Sequence, residues 1–290
     1  MHRQLATVAA IALTALMGAG CGGDEKPTSG SAASAKPTTA KAPTSASAAV
    51  SAKPSAAPAA EAKWGTATIK GVVAFAGKAP EMKVPAKRKD ADVCKAKEVK
   101  YNAVLVKDGK LQDVLVRITP GGVPGNWKAP DKHAEVDQID CMYAPRIQGV
   151  VAGQTIDVKN GDQTLHNVHS YKGSETLFNQ AQPKGAPVIS KEVPDEASII
   201  KMACDVHPWM RGFVVVTDHP FFAVSGADGS FKIEKVPAGK YTVEAWHTQY
   251  GLLKKEGVEV KDGGEVSVDF SYKGDEAEPA ENKGELQGLF

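Results

Sequence analysis

Turn-forming residues punctuate this 290-residue chain at short intervals, and the apolar runs between them are too short for helices. Lys107-Asp108-Gly109-Lys110 lies between Val104-Leu105-Val106 and a run from Leu111 to Ile118. An Asp-Gly pair flanked by apolar runs predicts a hairpin, because its left-handed dihedrals match the twist of paired strands. Thr66 to Phe75 sets Ile69, Gly71, Val73 and Phe75 on one face, the period of two expected of a half-buried strand. Further strands are expected at Val150 to Val158, His166 to Tyr171, Ser198 to Ala203 and Gly212 to Thr217, whereas helical periodicity is scarce. The expected class is all-β, built as a β-sandwich.

A second unit is expected after Asp218. Ala227-Asp228-Gly229, Pro237-Ala238-Gly239 and Asp262-Gly263-Gly264 separate Phe231 to Val236, Tyr241 to Trp246, Gly257 to Lys261 and Glu265 to Tyr272. On one face these strands would bury Phe231 and Ile233, then Tyr241, Val243 and Ala245, then Val266, Val268 and Phe270. So short a unit has little core of its own. It is therefore expected to pack on the first domain or to take Thr66 to Phe75 as an extra strand.

The N-terminus reads as export machinery. Arg3 precedes a short apolar stretch from Leu5 to Met17, and the small residues Gly18-Ala19-Gly20 precede Cys21. From Gly22 to Lys63 the chain is almost entirely Ala, Ser, Thr, Pro, Lys and Gly, too poor in apolar side chains to offset its ordering entropy. It is expected to be a disordered tether with a reach on the order of 35 Å. The expected organisation is thus a signal segment at 1–21, a linker at 22–63, a first domain at 64–218, a second at 219–272 and a disordered tail at 273–290. A net charge of +1 gives no support for nucleic-acid binding. The run Lys87-Arg88-Lys89 is expected to be a solvated loop or a docking patch for an acidic partner.

The chemistry is concentrated in Cys204-Asp205-Val206-His207-Pro208-Trp209-Met210, with Leu165-His166-Asn167-Val168-His169 upstream. These segments offer a thiolate, two imidazoles and a thioether. Two His and one Cys in a plane with a weak axial Met are the donors of a one-electron copper site, holding one compromise geometry for both oxidation states. His166 would come from one strand, and Cys204, His207 and Met210 from the end of another and its following loop, which Pro208 stiffens by fixing its own φ. His169, three residues from His166, points to the other face of a strand and is not expected to be a ligand. His219 and His247 are read as interface or structural residues.

Four cysteines constrain the pairing. With Cys21 set aside and Cys204 kept unpaired for the metal, Cys94 is expected to bond Cys141; a bond from either to Cys204 would abolish the site. Zinc could occupy Cys204, His166 and His207, but the soft thioether favours copper. The absence of His-x-His pairs argues against a multicopper oxidase, and that of Cys-x2-Cys-His excludes haem attachment.

Tyr143 to Thr217 resembles the cupredoxins, of the amicyanin and plastocyanin kind. The likeness is carried by Val151-Ala152-Gly153-Gln154-Thr155-Ile156-Asp157-Val158-Lys159-Asn160, by Leu165 to His169, and by CDVHPWMRGFVVV from Cys204 to Val216. It implies a Greek-key sandwich holding one type 1 copper ion on His166, Cys204, His207 and Met210. It also implies that Asn167 ties the two ligand loops together beside the thiolate. Phe222 to Phe270 resembles transthyretin-like, carboxypeptidase-regulatory modules through ADGSFKI and VPAGKYTVEAW. The first 21 residues resemble a bacterial lipoprotein signal, which implies a lipid on Cys21 and a place in the periplasm or on the outer membrane.

The expected function is a membrane-tethered carrier of single electrons, not an enzyme, acting as a monomer with a redox partner protein. The alternatives are an envelope copper-handling protein and a structural or adhesive module with a vestigial site. His207 is expected to be partly exposed and to pass the electron. Trp209 beside it, with Arg211, would then form a docking patch, or Trp209 would pack against the second module.

Overall fold

The computed structural model describes residues 61–85, 92–94 and 100–279. Cys21, the run at 87–89, nearly all of the expected linker and the end of the tail lie outside the described residues. Among the described residues every regular element is a strand.

The chain opens with β1 (Ala67–Phe75), β2 (Val106–Lys107), β3 (Lys110–Leu111) and β4 (Leu115–Ile118). It continues with β5 (Ala134–Ile139), β6 (Met142–Ala144), β7 (Ile147–Val151), β8 (Thr155–Asn160), β9 (His166–Lys172), β10 (Glu175–Gln182), β11 (Ile189–Glu192), β12 (Ser198–Ala203) and β13 (Arg211–Thr217). It ends with β14 (Phe222–Val224), β15 (Ser230–Val236), β16 (Gly239–His247), β17 (Gly251–Val260), β18 (Glu265–Ser267) and β19 (Phe270–Tyr272). Asp108 and Gly109 take the left-handed conformation between β2 and β3 that their identities predict.

These strands form two sandwiches. In one, a sheet ordered β15-β1-β3-β2, with β18 and β19 also on β1, faces a sheet ordered β14-β4-β16-β17. Ile69, Val73 and Ile233 from the first sheet meet Val116, Ile118 and Val243 from the second in one core. In the other sandwich β10-β9-β12-β13-β7 faces β11-β8-β5-β6, around Val136, Ile156, Val158, Val168, Met202 and Val214. The run from Leu111 to Ile118 is not one strand. Asp113 adopts a φ of 61° and breaks it, sending β3 into one sheet and β4 into the facing one. The stretch from Val150 to Val158 is likewise two strands, β7 and β8, parted by the turn at Gly153.

The boundary expected between a first domain at 64–218 and a second at 219–272 does not follow the sheets. β1 to β4 pair with β14 to β19, so the sandwich of β5 to β13 is inserted between β4 and β14. The physical reason is the core: the C-terminal strands bury too little by themselves, and β1 supplies a central strand flanked by β15, β18 and β19.

A third cluster joins the sandwiches. Leu115 and Trp246 from one pack on Ile147, Phe213 and Val215 from the other. Gly149 on β7 is required there, since a Cβ would lie 2.4 Å from the Phe222 ring. His247 is wholly buried at this junction's edge, and burial holds its imidazole well below its usual pKa, with the nearby Arg146 cation adding to the effect. Arg117 on β4 donates to Glu244 on β16 at 2.7 Å, both side chains being nearly inaccessible, and also reaches the Val216 carbonyl on β13. Arg117→Met should lower unfolding stability by about 3 kcal/mol because it removes the nearest charge partner of the buried carboxylate and leaves it only the longer contacts to Lys254 and Thr119, whereas Arg117→Met with Glu244→Leu should cost much less. Urea unfolding of both variants checks this; equal losses would show that desolvated charge is not the cause.

Candidate metal centre

β9 and β12 run side by side, with Ala203 opposite His169. That pairing brings His166, at the start of β9, to the turn that leaves β12. Cys204 follows the last residue of β12, His207 sits within the turn, and Met210 immediately precedes β13. The Met210 N–H donates to the His207 carbonyl at 2.9 Å and closes the turn. The spacing of two between ligands thus comes from one tight reversal linking antiparallel β12 and β13.

The donor atoms converge. His166 Nδ1 lies 2.9 Å from His207 Nδ1, and Cys204 Sγ lies 4.0 Å from the former and 3.7 Å from the latter. Metal bonds of about 2.0–2.3 Å at trigonal angles hold donors about 3.5–3.8 Å apart. The separation from His207 Nδ1 falls in that range, and the one from His166 Nδ1 lies just beyond it. The two imidazole nitrogens share a hydrogen bond in this structure, and a small opening of that contact admits a metal. His166, His207 and Met210 are wholly buried, and Cys204 is nearly so. Met210 belongs to the same core cluster as Cys204. A soft thiolate, two imidazoles and a thioether in an apolar wall fit copper by donor chemistry.

Around the donors, hydrogen bonds fix each loop. Asn167 Oδ1 accepts the Asp205 N–H at 2.7 Å and the Cys204 thiol at 3.5 Å, and Asn167 Nδ2 donates to Asp205 and Asn179. Tyr143 Oη lies 3.1 Å from the Asn167 carbonyl and 3.0 Å from the Ala203 carbonyl and shares its one proton between them, joining β9 to the end of β12. Burial pushes the Cys204 thiol above its usual pKa, opposed by hydrogen bonds at Asn167, His207 and Val206. Pro208 lies between His207 and Trp209 and lines, with Cys204 and Arg211, an open pocket on the thiolate side. His169 faces away, toward Asp205, Tyr171 and Asn179.

Cys94 and Cys141 form a disulfide, and Cys204 is free. The Cys94 sulfur lies 3.8 Å from His207 Nε2, so the crosslink covers the outer edge of that imidazole.

Two expectations are corrected here. His207 is 0% exposed rather than partly exposed, because the disulfide and the Trp209 ring cover it. Trp209 is 2% exposed and cannot dock a partner; its indole N–H donates to the Cys141 carbonyl at 3.1 Å. Trp209 packs in the core of the sandwich of β5 to β13, not against the C-terminal strands. Arg211, half-buried, donates to the Met210 carbonyl.

Sequence reasoning missed Tyr143 as a strand tie and Asp162 altogether. Asp162 Oδ2 lies 2.9 Å from His166 Nε2, four residues along the loop between β8 and β9. The Asn-Gly-Asp turn at 160–162, just before His166, was the available signal.

No family model matches the sequence, and no curated protein matches it. Among solved structures, a purple cupredoxin from Nitrosopumilus maritimus is 24% identical, over 29% of this chain and 99% of its own, with a TM-score of 0.26. A reduced, Cu(I) form of an amicyanin variant is 30% identical, over 30% of this chain and 84% of its own, with a TM-score of 0.26. Pseudoazurin from Methylobacterium extorquens is 18% identical, over 30% of this chain and 76% of its own, with a TM-score of 0.26. Each likeness spans less than a third of this chain.

A buried, protonated thiol is a poor nucleophile. Alkylation of the folded, metal-free protein, read by peptide mass spectrometry, should leave Cys204 almost unlabelled until denaturant is added. Labelling at the unfolded rate would contradict the sealed site.

Proposed function

We propose that this protein carries single electrons through one type 1 copper ion held by His166, Cys204, His207 and Met210. The observation that carries this reading is the convergence of one unpaired thiol and two imidazole Nδ1 atoms from residues that are themselves buried. A bound copper ion supplies a one-electron couple between Cu(II) and Cu(I). Everything else is the work of the chain.

Cys204 supplies the soft donor, kept from crosslinking because the other two cysteines of this sandwich are spent on each other. Asn167 and Tyr143 hold the two ligand-bearing segments at fixed separation, so that the donors have little freedom to rearrange between oxidation states. The surrounding valines and Met202 exclude water. Burial of all four donors favours a carrier over a copper-delivery protein, which needs an exchangeable site.

With His207 sealed, it is not the surface at which a partner protein meets the metal. The open pocket lined by Cys204, Pro208 and Arg211 is the better place for that contact. The reading includes a lipid on Cys21, which would tether the carrier at the cell envelope, supported by the signal-like stretch before that residue.

Cupric ion added to the full chain should bind at one equivalent and give an intense visible charge-transfer band that ascorbate bleaches and an oxidant restores. Cys204→Ser should lose the band. Absence of colour in the wild type would sink the reading, and rapid loss of copper to a mild chelator would turn it into copper delivery.

A further inference from the structure

One carboxylate is built into the metal centre from outside the donor set. Asp162 sits in the loop between β8 and β9, with its side chain only 10% exposed. Its Oδ1 accepts the Asp140 N–H at 2.9 Å and its Oδ2 the Cys141 N–H at 2.8 Å. Asp140 and Cys141 are the two turn residues between β5 and β6, and both have positive φ, 53° and 56°. Neither is glycine, so this turn needs outside support, and Asp162 supplies it. The same Oδ2 lies 2.9 Å from His166 Nε2.

We propose that Asp162 is a positioning residue of the copper centre: it holds the proton of His166 on Nε2, leaves Nδ1 bare for the metal, and shifts the centre toward Cu(II). A carboxylate oxygen that already takes a backbone N–H acts toward the imidazole as an acceptor, which selects the Nε2–H tautomer. The bare Nδ1 then accepts from His207 Nδ1–H across the 2.9 Å contact in the metal-free protein. Once a metal takes that Nδ1, the carboxylate behind the ring makes it a stronger donor. Its negative charge stabilises the doubly charged ion more than the singly charged one.

Asp162 also connects the two imidazoles. Through Cys141 it anchors the disulfide that covers His207, while it grips His166 directly. A short loop residue therefore fixes one ligand by hydrogen bond and the cover of the other by turn geometry.

The inference rests on the copper-carrier reading, and its test separates the two. Wild type, Asp162→Asn and Asp162→Ala are compared for Cu(II) affinity, Cu(I) affinity and reduction potential, with the surface change Asp131→Asn as a charge control. Both Asp162 variants should bind Cu(II) about 10–100-fold more weakly. They should lose less toward Cu(I), and so show a potential above wild type and above the control. A potential unchanged while the wild type remains coloured would overturn the role of Asp162 and leave the carrier reading intact. If the wild type takes up no copper, it is the carrier reading that fails.

The turn at Asp140 and Cys141 makes misfolding of the variants a real outcome, so a wild-type readout stands beside them. In 15N-histidine NMR of the metal-free and Cu(I) proteins, His166 should carry its proton on Nε2 in both. A proton on Nδ1 in the metal-free protein would overturn the proposal without any variant.

Discussion

An unpaired, buried thiol between two imidazoles is the constraint on which the rest of the sandwich of β5 to β13 depends. Cys204 Sγ must lie within about 4 Å of nitrogens from residues 38 and three positions away, and stay there. Loops alone cannot hold such a triangle, because each ligand would bring its own conformational freedom. The sandwich solves this by pairing β9 directly with β12, so that both segments leave the same sheet edge, and by crossing the gap with Tyr143 and Asn167. The disulfide then lies against the Nε2 edge of His207, with the Cys94 sulfur 3.8 Å away.

The second sandwich enters this account through the insertion. Because β5 to β13 leave and return between β4 and β14, both ends of the inserted sandwich are held by strands of the other one. Leu115, Trp246 and Phe213 pack across the junction, and Arg117 spans it from β4 to the Val216 carbonyl. β13, which begins beside Met210, is thus buried on both faces, one against its own core and one against the junction. A strand buried on both faces has little room to shift register, and the turn that carries Cys204, His207 and Met210 inherits that rigidity.

The all-β class was legible in the sequence because turn chemistry is local: Asp108-Gly109 and Gly263 announce themselves by the dihedrals they permit. The candidate ligands were legible because Cys204, His207 and Met210 share one turn. The pairing of Cys94 with Cys141 followed from arithmetic once Cys204 was reserved for a metal. What sequence could not fix depends on contacts between distant positions. β1 meets β18 and β19 almost two hundred residues later; its place beside the C-terminal strands was one of two arrangements left open by the sequence, and only the folded contacts choose between them. Burial of His207 depends on where Cys94 lies, 113 residues upstream. Asp162 looks like any loop carboxylate until His166 and the turn at Cys141 are folded against it.

The central claim is that one metal ion is held between His166, Cys204 and His207, and anomalous X-ray scattering at the copper edge tests it most directly. Crystals grown from copper-loaded protein should show a single strong anomalous peak bounded by His166 Nδ1, His207 Nδ1 and Cys204 Sγ, with the Met210 side chain on one side of that plane. A peak at His169 and Asp205 instead, or copper spread over surface sites with none near Cys204, would contradict it.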